Sequence, residues 1–187
     1  MTDIASLYKK EDGRVLIEIK ISSVNQLFNS FDPAPFYEKE LDHDAEQYIV
    51  DTVNDFPLNT RFKIVIHMPP ELAGSANGQQ IGTAVRNHFE YRMLVADRKL
   101  RARFRYGRSA LIIGLTFLFI ALIARQVVST FNNHILSVLF ADALLVTGWA
   151  AMWEPVTVLL YELWPIHQRK KTFQKIRDME IDVRPTP

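Results

Sequence analysis

Cysteine is absent from the 187 residues, which removes disulfides, thiolate metal sites and cysteine nucleophiles together. The opening stretch Met1-Thr-Asp-Ile-Ala-Ser-Leu-Tyr8 has no apolar core of signal-peptide length, so the leading half is expected to stay where it is made. A phosphate cradle is missing as well. Gly74-Ser-Ala-Asn-Gly78 precedes a helical pattern but lacks the Gly-Lys-Ser/Thr ending of a P-loop. Spacing supports no Ser–His–Asp arrangement, and no catalytic residue, cofactor or metal is expected.

Mean hydropathy is near neutral, at −0.02, but this average hides two unlike halves. Residues 1–91 carry 14 acidic and 8 basic side chains, and residues 92–187 carry 7 and 14. An acidic part is therefore joined to a part suited to an anionic surface.

Two apolar runs dominate the second half. Ser109–Val128 holds about twenty residues with Arg125 as its only charge, and a hydrocarbon core of ~30 Å needs roughly that many at 1.5 Å rise. The second run, from Ile135 to Trp164, is apolar apart from Asp142, Glu154 and Glu162. Asn132-Asn133 is the natural turn between them. Arg98, Lys99, Arg101, Arg103, Arg105 and Arg108 precede the first span, and Arg169, Lys170, Lys171, Lys175 and Arg177 follow the second. Basic residues stay cytoplasmic, so a hairpin with both termini inside is expected, its Trp149, Trp153, Tyr161 and Trp164 in the inner aromatic belt. The basic clusters suit anionic headgroups, at ~1 kcal/mol per residue near the surface, rather than nucleic acid. The headgroup contacts are assigned to Arg98, Arg101, Arg105, Arg108, Arg169, Lys170 and Lys171.

The first half reads as a small α/β domain. Val15–Ile21 alternates as a half-buried strand, and Phe62–His67 is a second strand closed by Met68-Pro-Pro70. Between them Ala45, Tyr48, Ile49, Thr52, Val53 and Phe56 mark one helix face, with Asp44 as its cap, Gln47 in the capping-box position and Pro57 at its end. This order predicts a βαβ crossover with parallel strands. A short helical turn near Val24–Phe28 and an elbow pinned by Phe31 and Phe36 fill the connection. Val85, Phe89, Met93, Ala96, Leu100 and Phe104 form a stripe on a long helix that runs towards the first span, with Gly107 as the only hinge candidate. Two strands make a poor sheet. The alternating Met179–Arg184 segment is therefore expected to pair with it, in its own chain or a neighbour's, and oligomerisation is the other remedy.

The fold class is thus an α+β membrane protein. Residues 1–78 form a cytoplasmic βαβ-type domain, 79–107 a long amphipathic juxtamembrane helix, and 108–164 a transmembrane hairpin with spans at about 109–128 and 135–160. Residues 165–187 form a basic tail whose strand, 179–184, returns to the domain.

Three groups could carry function. Arg125 and Asp142 are nearly equidistant from the turn, so an antiparallel hairpin pairs them at similar depth. Pairing relieves part of the ~2.5–3.5 kcal/mol that either charge costs at a bilayer centre, and the pair reads as a clasp or as a charged ring at a pore mouth. Glu154-Pro155 sits where proline kinks a helix, with Glu154 opposite Ile113 and Thr147, Ala150 and Ala151 on its face, as a pore or interface position. His43, within Asp42-His43-Asp44, and His67 fall at the carboxyl ends of the strands, the edge where open α/β sheets bind ligands. They are weak ligand-site candidates, since capping explains the acidic neighbours.

Phe31-Asp-Pro-Ala-Pro-Phe36 through Leu41-Asp-His-Asp-Ala-Glu-Gln-Tyr-Ile49, with Trp153-Glu-Pro155 and Leu163-Trp-Pro165, resembles a family of uncharacterised bacterial inner-membrane proteins with two transmembrane helices and a small N-terminal cytoplasmic domain. The resemblance implies a bacterial plasma-membrane setting and nothing finer. The leading expectation is a non-catalytic membrane protein, a self-associating scaffold or an accessory subunit of a larger complex. Its partners would be the anionic bilayer, further copies of itself and other membrane subunits. The alternatives are an oligomeric ion or small-solute channel with Asp142, Glu154 or Arg125 near the path, and a membrane-tethered ligand sensor or enzyme.

Overall fold

The structure, a computed structural model, describes residues 7–57, 59–128 and 134–186. The chain is mixed α+β. In order, the elements are β1 (Lys10–Glu11), β2 (Arg14–Lys20), α1 (His43–Asn54), β3 (Phe62–Met68), α2 (Pro70–Ala73), α3 (Ala76–Val128), α4 (His134–Ala151), α5 (Trp153–Thr157), α6 (Leu163–Arg177) and β4 (Glu180–Pro185). Two units emerge: residues up to Val95 together with those from Arg169 onward, and Ala96–Gln168.

The first unit is built on a four-stranded sheet of order β1-β2-β3-β4. The β2–α1–β3 crossover is parallel, with Ile17 opposite Ile64 and Ile19 opposite Ile66. The tail strand β4 lies parallel to β3 in its own chain, Ile181 beside Ile64 and Val183 beside Ile66. The sheet thus gains its third long strand from sequence on the far side of the apolar runs. The two-residue β1 was not expected. It turns back onto β2 through Asp12-Gly13, both at positive φ (50° and 73°), the backbone of a two-residue hairpin and the reason a glycine stands there.

Helices α1, α3 and α6 cover one face of the sheet. Gly82 of α3 approaches the Ile181 side chain, where an added Cβ would lie 3.8 Å away. Lys175 of α6 sits 4.6 Å over the Phe62 ring, Phe56 beyond α1 packs edge-on against Phe62, and the Thr172 hydroxyl of α6 donates to Asn54 of α1. Between these layers Ile17, Ile49, Ile64, Ile66, Ile81, Phe89 and Ile176 are wholly buried, each contributing about 1.5–3 kcal/mol relative to exposure. The opposite face carries charge. Lys63 Nζ lies 3.0 Å from Glu180 and 3.2 Å from Asp182, Arg184 reaches Glu11 and Asp182 at 2.8 and 2.9 Å, and Arg14 pairs with Glu180.

Two local expectations need correction. Asp42, not Asp44, caps α1: Asp42 is the extended residue at the helix start, and its carboxylate accepts the Asp44 N–H at 3.0 Å. This puts Gln47 outside the capping-box position. Nor does Phe31 pin the elbow, for it is 94% exposed. Phe36 alone packs inward, edge-on to Phe28 at 5.1 Å, because the bridge between Phe28 and Leu41 closes the loop beneath it.

The second unit is helical. The helices Gln80–Val128 and Val138–Arg177 are each long and apolar enough to cross a membrane, and only 11% and 17% of their apolar windows are buried. Gly107 is not a hinge. Helix α3 passes through it unbroken, and a Cβ there would stand 2.9 Å from Val158 Cγ1. Gly114 and Gly148 likewise permit close approach: added Cβ atoms would lie 2.9 Å from the Ala151 carbonyl oxygen and 2.9 Å from Leu118 Cδ1. The second run breaks where proline predicts. Pro155 has no N–H for the Ala151 carbonyl, α4 ends at Ala151, Met152 N–H turns back to Trp149 O, and one π-helical turn follows at Val158–Glu162.

Candidate functional site

The charges of the apolar helices meet in pairs. Arg125 Nη2 lies 3.8 Å from Asp142 Oδ1, the contact that equal spacing from the turn suggests; Asn132 and Asn133 themselves lie outside the described residues. Further along, Glu154 Oε1 accepts the Tyr106 hydroxyl at 2.9 Å, Arg103 lies 5.0 Å over the Tyr106 ring, and Arg103 also pairs with Glu162. Equal spacing places Glu154 opposite Ile113, and both do line one groove, but the carboxylate reaches two turns beyond, to Tyr106.

That groove has a volume of about 560 Å³ and runs between two helix faces. Tyr106, Ala110, Gly114 and Phe117, with Ile113 beside them, recur at three- and four-residue spacing on α3; Thr147, Ala151 and Glu154, with Ala150 beside them, do so opposite. These last four share a face legible in the sequence; the α3 side announces itself there only through the small residues Ala110 and Gly114. Of the headgroup candidates, Arg98, Arg101, Arg105, Arg108, Arg169 and Lys171 are exposed and Lys170 half-buried, with Arg101 paired to Asp97 one turn back.

His43 and His67 do not form one site. His43 is exposed at the first turn of α1, in the helix layer. His67 projects from the charged face of the sheet, its Nε2 3.2 Å from Glu18 Oε1. Among the described residues no three His, Asp or Glu side chains converge as metal ligands.

The histidine that does organise structure went unnoticed in the sequence. His88 is 5% exposed within the α3 stripe. Its Nδ1 accepts the Leu41 N–H at 3.1 Å, which leaves the proton on Nε2 to be donated to Glu46 at 2.9 Å. With both nitrogens occupied, the ring has no free lone pair for base catalysis or metal binding. Arg92 completes the cluster, binding Glu46 Oε1 through Nε and Nη2 at 2.8 and 2.7 Å. Burial opposes ionisation of Glu46, but the His88 hydrogen bond and the Arg92 charge outweigh it, so this carboxyl titrates below its ordinary value.

His88 and its neighbour Asn87 also fix the loop that displays Phe31. Asn87 donates to Tyr37 O at 2.9 Å, and the Asp32 carboxylate accepts the N–H groups of Ala34 and Glu40 at 2.9 and 2.8 Å. These two backbone hydrogen bonds hold Asp32 ionised below the usual range. Beside the loop lies a cleft of about 520 Å³, rimmed by Phe31, Asp32, Glu38, Glu40 and Tyr91 and floored by His88. No protein-family model matches the chain, and comparison with characterised proteins and with solved structures found no similar one.

Proposed function

We propose that the chain is a non-catalytic membrane protein of the bacterial inner membrane, acting as a self-associating scaffold or as an accessory subunit of a larger complex. The observation that carries this reading is the Phe31 loop. A phenylalanine left 94% exposed on a loop tied down by Asn29, Asp32, Asn87 and His88 is a preorganised contact, and exposed aromatics on rigid supports are the usual anchors of protein interfaces. Of the groups nearby, His88, Glu46 and Arg92 are already committed to one another.

Membrane insertion is supported by the exposure of the apolar helices, where Ile113, Phe119 and Val146 are each at least 65% exposed. A core helix of a soluble protein would bury such side chains. Pairing of β4 with β3 supports the topology. It places sequence before and after the two spans in one folded unit, which supports an even number of crossings, and the basic flanks favour the cytoplasmic side for that unit. The channel reading is less well supported, because Arg125 and Asp142 are partnered within a single hairpin.

The test is mass measurement of the full chain purified from native membranes in mild detergent. A multimer or stable hetero-complex is expected, and Phe31→Ser should reduce it without changing thermal stability by more than about 0.5 kcal/mol. A monomer that co-purifies with nothing would sink the proposal.

A further inference from the structure

The groove between α3 and the α4–α5 run has two unlike ends. Its floor is apolar and small, from Ala110, Gly114, Ala150 and Ala151 to Phe117, and its mouth is polar, with Tyr106, Ser109 and Glu154. From Tyr106 to Phe117 the groove spans eleven residues of helix, about 16 Å at 1.5 Å per residue, close to one leaflet of a ~30 Å hydrocarbon core. We propose that it holds one acyl chain of an aminophospholipid, whose ammonium binds Glu154. The inference rests on the membrane reading above.

Charge and width select this occupant. Glu154 Oε1 accepts the Tyr106 hydroxyl, and Oε2 accepts no hydrogen bond among the described residues, so the carboxylate keeps an acceptor for a cation. Arg103, 5.0 Å over the Tyr106 ring at the mouth, supplies positive charge for a lipid phosphate. A zwitterionic amine headgroup satisfies both signs, whereas an anionic glycerol headgroup brings no ammonium to the open oxygen of Glu154. The helices that wall the groove approach closely enough for added Cβ atoms on Gly114 and Gly148 to collide with their neighbours. That leaves a trough suited to an alkyl chain, not to a helix of roughly 10 Å diameter.

Native mass spectrometry of the full chain in mild detergent tests this, with dioleoyl-phosphatidylethanolamine and dioleoyl-phosphatidylglycerol added separately. Phosphatidylethanolamine adducts should persist at least about tenfold more than phosphatidylglycerol adducts. Glu154→Gln, which keeps the shape, should erase that preference, while Ala150→Leu and Ser109→Leu, which fill the trough from opposite walls, should remove both adducts. Equal retention of the two lipids by the unsubstituted chain would overturn the proposal, as would an unchanged preference in Glu154→Gln or a dimer lost on filling the groove. Carbonate extraction separates the two levels. Release of the chain from membranes without detergent would defeat the membrane reading itself; resistance combined with no lipid preference would defeat this inference alone.

Discussion

The two units of the chain follow opposite packing rules. In the sheet unit the largest aliphatic side chains are the buried ones, with Ile17, Ile49, Ile64 and Ile81 showing no exposure. In the helical unit the buried positions among the described residues are Ala96, Gly107, Gly114, Ala121, Ala141, Gly148, Pro155 and Val158, while Ile113 is 69% and Phe140 61% exposed. Water drives large apolar groups inward. Where the surroundings are themselves apolar that force vanishes, and small residues that let backbones approach take the interface instead. The contrast fits a chain solvated by water at one part and by hydrocarbon at the other.

The largest test of this contrast compares two isoleucines. Ile64→Ala should destabilise the chain by about 2–5 kcal/mol through the cavity it leaves, and Ile113→Ala by no more than about 0.5 kcal/mol, in denaturation of the full chain in detergent. Equal costs would break the comparison. Next comes the polar cluster of the sheet unit. Glu46→Ala strands His88 and Arg92 and should cost about 2–4 kcal/mol. Because the folded Glu46 carboxyl titrates below its ordinary value of 4.5, its contribution is intact above that pH and fades as pH falls through the lower, folded value. Melting temperature against pH should therefore drop on the acid side in the unsubstituted chain and less steeply in Glu46→Gln.

Gly114→Leu probes the opposite rule, since its Cβ would meet the Ala151 carbonyl at 2.9 Å. A loss of about 1–3 kcal/mol is expected, measured as weakened protection of α4 amides in hydrogen exchange, whereas Leu is harmless at an exposed position such as Val146. Smallest is the Arg125–Asp142 pair, both partners about half exposed. Asp142→Asn should cost at most about 1 kcal/mol, and the exchanged double substitution Arg125→Asp with Asp142→Arg should restore most of it. Failure of the exchange to rescue would mean the two charges act separately.

Much of this was legible because it is local. Alternation at residues 15–21, 62–67 and 179–184 gave the strands, and helical spacing from Ala45 to Phe56 gave α1. Equal distance from a turn paired Arg125 with Asp142. Other features depend on where the chain returns. Nothing near Glu46 announces that a histidine 42 residues later donates to it, and nothing in Phe31-Asp-Pro-Ala-Pro-Phe36 tells which phenylalanine faces inward. The Asp12-Gly13 turn was readable, since that dipeptide favours positive φ, but the two-residue strand beside it is too short to show a period.

Composition and periodicity alone determined that the chain holds two apolar helices flanked by basic residues and a small α/β part, since hydrophobic pattern and charge act residue by residue. Tertiary structure decided that β4 completes the sheet within its own chain, that His88 is locked by Leu41 and Glu46, and that Glu154 reaches Tyr106. Those outcomes turn on register and on which distant groups share a buried space, and no local preference encodes either.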